Sequence, residues 1–256
     1  MAASDGQRHI LIAGGSRGIG AACARRFLAA GDRVSVVARS LPDEQELPAA
    51  PGLRAILADL RDIMGAEAAC KDAEAVYGPI DVLINCAGAA QQTPPDRVTA
   101  RTWQEAMAAK YFTYMNVIDP VLKGMVERRS GVIVNVIGLG GKVPSDTHLP
   151  GGAANAALML ATTGLGHAWG HAGIRVVGVN PGPVSTGRLQ QLIATKAINE
   201  GISPAQAEAA LTQNMPYGRV IMPEEIAEAV FFLASSGASA INGTVIATDG
   251  GASPVI

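Results

Sequence analysis

Three glycines at fixed spacing, Gly14, Gly18 and Gly20, are the first residues in this chain whose arrangement could do chemistry. They follow the apolar run Ile10-Leu11-Ile12-Ala13 and precede a stretch, 19–30, whose apolar residues recur at helical spacing. The segment therefore reads as strand, tight turn and helix. Such a turn is suited to a phosphate. Gly14 permits a sharp exit from the strand, and Gly18 and Gly20 have no Cβ to hold a pyrophosphate away from the backbone N–H groups and the positive end of the helix dipole. Ser16, Arg17 and Ile19 fill the turn and belong to the same candidate binding surface. A second candidate group lies in a long helical stretch, 102–127. There Trp103, Met107, Lys110 and Tyr114 fall at i, i+4, i+7 and i+11, which places a lysine on an otherwise apolar face.

The elements that must hold these groups can be read in order. Residues 34–38 form a second strand that ends in Arg39-Ser40. In dinucleotide-binding folds the residue closing this strand meets the adenosine ribose, and an acid there selects the unphosphorylated ribose. Ala38 is not acidic, whereas Arg39 and Arg17 can supply cations to a 2′-phosphate, so the pair favours NADP(H) over NAD(H). Residues 41–52 contain Pro42, Pro48 and Pro51 and read as a surface loop. Strands follow at 53–58, 80–86, 131–137, 174–179 and 243–248, and helices at 62–77, 151–171 and 223–235. The near-continuous apolar run of 80–86 fits a parallel strand covered on both faces. Alternation of this kind predicts an α/β fold with a doubly wound, seven-stranded parallel sheet of Rossmann type and helices on both faces, in one domain spanning 1–256. Residues 187–219 are polar and helix-prone, with breaks at Gly201 and Pro204, and are the natural place for a substrate lid.

Composition narrows the partners. With 256 residues, 48% of them hydrophobic, the chain can bury a large core. A formal net charge of -2 offers no basic excess for nucleic acid or a membrane surface, so a small-molecule substrate is the expected partner. Cys23, Cys70 and Cys86 lie far apart in sequence and show no metal-ligand spacing, which fits a reduced cytoplasm and no metal. The polar start, 1–8, does not read as a signal peptide.

The spacing G-x-x-x-G-x-G resembles the short-chain dehydrogenase/reductase family, although the Thr that usually precedes its first glycine is Ala13 here. Asp59-Leu60 resembles the family's adenine-contacting position. Asn85-Cys86-Ala87-Gly88 resembles its Asn-Ala-Gly element, with Cys86 in an Ala slot, where Asn steadies the sheet and small residues admit the cofactor. The run Pro181-Gly182-Pro183-Val184-Ser185-Thr186 resembles its Pro-Gly element, whose Thr meets the nicotinamide carboxamide. The resemblance implies a two-fold interface through the helices at 102–127 and 151–171, hence a homodimer or homotetramer, and Ala153, Ala157, Ala161 and Gly164 permit close packing there.

The family's catalytic tetrad is Asn, Ser, Tyr and Lys. By the same matching, Gly138 stands at the Ser position, Gly151 at the Tyr position, Asn155 at the Lys position and Lys110 at the Asn position. The ammonium and the amide have exchanged places, which points to a retained polar site. The two glycines leave room above the nicotinamide for substrate or water. Candidates for the proton donor are Lys110, His148, Tyr111 and Tyr114. The expected function is an NADP(H)-dependent oxidoreductase with a substituted proton relay, acting on a carbonyl, enone or imine. A lyase or isomerase using Lys110 as base or Schiff-base amine, and a cofactor-binding protein without catalysis, remain as alternatives.

Overall fold

In a computed structural model that describes residues 7–88, 90–213 and 215–253, β1 (His9–Ala13) pairs in parallel with β2 (Arg33–Ala38) on one side and β4 (Val82–Asn85) on the other. Beyond β2 lies β3 (Leu53–Leu57). Beyond β4 lie β5 (Gly131–Val136), β6 (Ile174–Pro181) and β7 (Val245–Thr248). The resulting sheet has seven strands in the order β3-β2-β1-β4-β5-β6-β7. The order reverses between β1 and β4, as the doubly wound Rossmann fold requires.

Successive residues of the central strands face opposite cores. Ile10 and Ile12 pack with Phe27 of α1 (Gly18–Ala29) and Val230 and Leu233 of α8 (Pro223–Leu233). Leu11 and Ala13 pack with Ala69 of α2 (Ile63–Tyr77), Val117 of α4 (Thr113–Arg128) and Leu158 of α5 (Leu149–Trp169). This two-sided burial is why these strands read as continuous apolar runs rather than as alternating ones. The segment 187–219 contains α6 (Gly187–Glu200) and α7 (Pro204–Thr212). Gly201, at φ 65°, ends α6, and Pro204 opens α7 behind a Ser203–Gln206 capping box.

The expected single face from Trp103 to Tyr114 is corrected. The stretch is α3 (Ala100–Ala106), a π-helical turn (Met107–Phe112) and then α4. A π turn closes its backbone bonds at i→i+5, so it rotates α3 about the helix axis relative to α4. Trp103 is accordingly 39% exposed, while Lys110 and Tyr114 stay together in the interior. No helix among the described residues is long and apolar enough to cross a membrane.

Candidate active site

The glycine turn is folded against two other segments singled out from the sequence. Gly14 has φ 81°, and a Cβ on it would lie 2.6 Å from the Ala87 backbone. At Gly18 a Cβ would stand 3.2 Å from the Thr186 methyl, and at Gly20 only 2.1 Å from the Gly14 carbonyl oxygen. Backbone therefore meets backbone where side chains would intervene. The turn, the 85–88 segment and Thr186 converge beyond the carboxyl ends of the strands, next to the reversal of strand order, where ligands bind in such sheets.

The cradle suits an anion. Its α1 N-terminus already holds one, since the Gly18 N–H donates to Glu46 Oε2 at 3.1 Å. Glu46 comes from the 41–52 loop, which is anchored by the buried Leu47 beside it. Arg17 and Arg39 are exposed, as is Ser40, and among the described residues neither arginine is in an ion pair. Ser16 and Leu60 are buried, and Ile19 is half-buried against the core. Asp59 is engaged by Arg61, whose hydrogen bonds hold the carboxyl down at about 2, with a smaller contribution from the Arg39 charge.

Asn85 is hydrogen-bonded into the sheet. Its Nδ2 donates to Asn135 Oδ1 at 2.9 Å across the β4–β5 pair, and Asn135 Nδ2 donates to Thr162 Oγ1 at 2.9 Å. Three buried side chains thus tie β4, β5 and α5 together. On the far side, Pro181 ends β6, Gly182 approaches Asp249, Val184 is buried, and Thr186 Oγ1 donates to Val184 O at 3.3 Å. Gly88, at φ 82°, lets the chain after β4 press on the π turn, for a Cβ there would lie 2.0 Å from Ala109 O.

That contact sets Lys110 at the ends of β4 and β5. The side chain is only 8% exposed, and its Nζ donates to Tyr114 Oη at 2.9 Å and to Val136 O at 3.1 Å. Tyr114 Oη itself donates to Val136 O. An ammonium has three N–H bonds, and the third has no partner among the described residues. Burial pushes the Lys110 pKa from 10.5 down to about 7; the Cys86 thiol partly opposes this and the Arg188 charge reinforces it. No hydrogen bond joins Lys110 to Asn155. Asn155 is buried on α5, with its Nδ2 3.4 Å from where a Gly138 Cβ would be.

The proton-donor candidates separate. Tyr111 packs edge-on to Phe112 and against the core. Tyr114 is fully buried, burial pushes its pKa up, and its hydroxyl is committed to Val136 O. His148 has a location the sequence did not disclose. Its imidazole lies over Gly151, where a Cβ would stand 2.2 Å from Cε1 and 2.4 Å from Nε2. The expected opening at Gly151 is therefore filled by the chain's own histidine, because a residue without a side chain lets the preceding loop settle onto α5. Burial, then the Arg188 charge, then Lys110 lower the His148 pKa from 6.5, and its buried Nδ1 has no hydrogen-bond partner among the described residues. Gly151→Ala should push the ring outward, returning the His148 pKa toward 6.5 in an NMR titration with the fold intact. An unchanged titration would show that the ring does not depend on that space.

Arg188 and Glu46 were not singled out from the sequence. Arg188 follows Thr186 by two residues at the start of a helix, which is a readable signal, whereas Glu46 sits in a proline-rich loop whose path no periodicity encodes. Cys23 and Cys86, distant in sequence, meet through their thiols, and that contact with burial raises the Cys23 pKa.

Comparison with known proteins bears on the whole chain. A family model described as enoyl-(acyl carrier protein) reductase matches residues 13–253. An acetoacetyl-CoA reductase of Rhizobium meliloti is 31% identical over 249 residues, covering 95% of this chain and 98% of the relative. The 2-(S)-hydroxypropyl-CoM dehydrogenase 3 of Xanthobacter autotrophicus is 33% identical over 248 residues, covering 94% and 95%. A solved actinorhodin polyketide ketoreductase with NADPH has a TM-score of 0.90 at 29% identity, covering 98% of this chain and 99% of that one. With its glycine turn, its Asn85 segment and Thr186 gathered at one crevice, the chain belongs to the short-chain dehydrogenase/reductase family of oxidoreductases.

Proposed function

We propose that the protein is an NADP(H)-dependent oxidoreductase in which Lys110 takes over the proton relay that most of its family builds from Ser, Tyr and Lys, and that it acts on a small carbonyl, enone or imine. The observation that carries this reading is the buried Lys110 ammonium, tuned to about 7 and keeping one N–H without a partner among the described residues. A group with a pKa near the working pH is the most effective general acid or base. Gly14, Gly18 and Gly20 admit the pyrophosphate, Arg17 and Arg39 take the 2′-phosphate, and the 85–88 segment with Thr186 borders the nicotinamide. The nicotinamide, when bound, supplies or accepts the hydride. The chain's own residues orient the substrate and move the proton: Lys110 Nζ gives it to the developing oxyanion, while Asn155 and the neutral His148 offer polar contacts from α5. NADPH is named with the ketoreductase neighbour, which supports the cofactor assignment.

Steady-state assays with NADPH against aldehydes, ketones, enones and imines test the reading by loss of reduced-nicotinamide absorbance. Nucleotide binding with no turnover on any of these classes would overturn it. One observation favours a second reading. A lysine half-deprotonated at pH 7 is also suited to Schiff-base formation, so product appearing without nucleotide would identify a lyase or isomerase. We further propose that α6 and α7 form a lid over this cleft.

The assembly proposed is a homodimer or homotetramer. Along α5, Ala153, Leu160 and Gly164 are exposed, Leu160 at 76%, and Phe112 is exposed on the neighbouring π turn. This apolar, small-residue face is suited to isologous helix packing. Light scattering at micromolar concentration should give a multiple of 26.2 kDa; the single-chain mass would refute the assembly.

A further inference from the structure

Arg188 stands in the first turn of α6, and its guanidinium donates to Ala90 O at 3.1 Å. Ala90 lies two residues past Gly88, whose missing Cβ would sit 3.2 Å from Lys110 Cα. The guanidinium is thereby hung beside the wall that carries Lys110. The His148 imidazole lies over Gly151 at the start of α5. The three groups feel one another, since the Arg188 charge depresses both Lys110 and His148, and Lys110 depresses His148 further. Among the described residues no carboxylate is among the causes that shift any of the three, and Arg188 makes no ion pair. Arg188 remains exposed as a whole, although burial around its guanidinium lowers its pKa, so a ligand can reach it. The Arg188 guanidinium and the Lys110 ammonium have no counter-charge and repel one another where screening by water is reduced, while the neutral His148 keeps a ring nitrogen for hydrogen bonding. An anion entering among them offsets that repulsion.

We propose that Arg188, with Lys110 and His148 beside it, forms a subsite for a small carboxylate, so that the substrate is an oxo-acid or its unsaturated or imino counterpart. Arg188 holds the carboxylate through its planar fork of donors, and the reacting double bond is turned toward Lys110. This inference rests on the oxidoreductase reading above. In that reaction a ketone carbon receives hydride from the reduced nicotinamide, its oxygen receives the Lys110 proton, and a hydroxy-acid leaves.

The test is calorimetric titration of the NADP⁺-loaded protein with sodium acetoacetate and with methyl acetoacetate, which differ in the charge. The wild type should bind the anion about 10- to 100-fold more tightly than the ester, the scale of a charge-assisted contact. Arg188→Gln should lose that preference and Arg188→Lys keep part of it, with NADP⁺ affinity unchanged in both. Equal binding of acid and ester, or binding of neither, would overturn the subsite. So would a fall in NADP⁺ affinity in Arg188→Gln, which would assign the guanidinium to a cofactor phosphate. Preference for the anion without consumption of NADPH on any substrate would instead leave the subsite standing and remove the oxidoreductase reading.

Discussion

Lys110→Met should make the protein more stable and nearly inactive at once. Turnover should fall by about 10²–10⁴-fold, the usual scale for loss of a general acid or base, with NADPH affinity much less affected. The stability gain comes from the same burial. Lowering a lysine from 10.5 to about 7 corresponds to an upper limit of roughly 5 kcal/mol against the folded state at neutral pH. Two hydrogen bonds from Nζ are lost in the variant, but Val136 O keeps Tyr114 as donor, so a net gain of about 2–3 kcal/mol, or roughly 5–10 °C in Tm, is expected. The sign sets its pH dependence. Because the folded pKa lies below the unfolded one, the penalty is complete below about 7 and disappears as the pH climbs past 10.5, above which neither state carries the proton. The Tm difference between variant and wild type should therefore shrink across that window. For carbonyl reduction, kcat/KM of the wild type should fall above about 7 as the ammonium is lost. A lower Tm together with retained turnover would overturn both halves.

Arg39→Ala and Glu46→Gln should move cofactor affinity in opposite directions. Arg39 stands exposed just past β2 and, among the described residues, without an ion pair, so removing it should weaken NADPH by about 1–3 kcal/mol and leave NADH nearly unchanged. Glu46 occupies the Gly18 N–H with its own carboxylate, and an acid at that helix start opposes the phosphates of the cofactor. Neutralising it should tighten NADPH severalfold in calorimetric titration. Equal affinities for NADPH and NADH in the wild type would refute the assigned preference, and weaker NADPH binding in Glu46→Gln would show the carboxylate to be a partner of the ribose.

Much of this was legible because it is local. The glycine turn, the two-sided apolar strands and the breaks at Gly201 and Pro204 are each written within a few neighbouring residues. The placement of Lys110 on an apolar stretch was also legible, and its burial and lowered pKa go with that placement. The features that escaped depend on register or distance. Trp103 does not share the face of Tyr114 because a π turn intervenes, and such a turn leaves no mark in hydrophobic spacing. Glu46 on Gly18 and Arg188 on Ala90 each join segments whose approach is set by the folded sheet, and His148 over Gly151 depends on how one loop settles onto the start of α5. Lys110 and Asn155 read as one exchanged pair, yet they share no hydrogen bond.

The π turn at Met107–Phe112 has a consequence for how this site could have arisen or be lost. Its wider loop accommodates one residue more than an α-helical turn, and that surplus helps fix the bearing at which Lys110 leaves the backbone. Deleting a single alanine there would let the helix relax to regular winding and turn the residues before it by roughly 100° relative to Lys110 and Tyr114, and with them the Ala109 carbonyl on which Gly88 presses. Among homologues, the length of this segment is therefore as informative about catalysis as the identity of the residue at position 110, and an alignment that absorbs a one-residue gap elsewhere would conceal the difference.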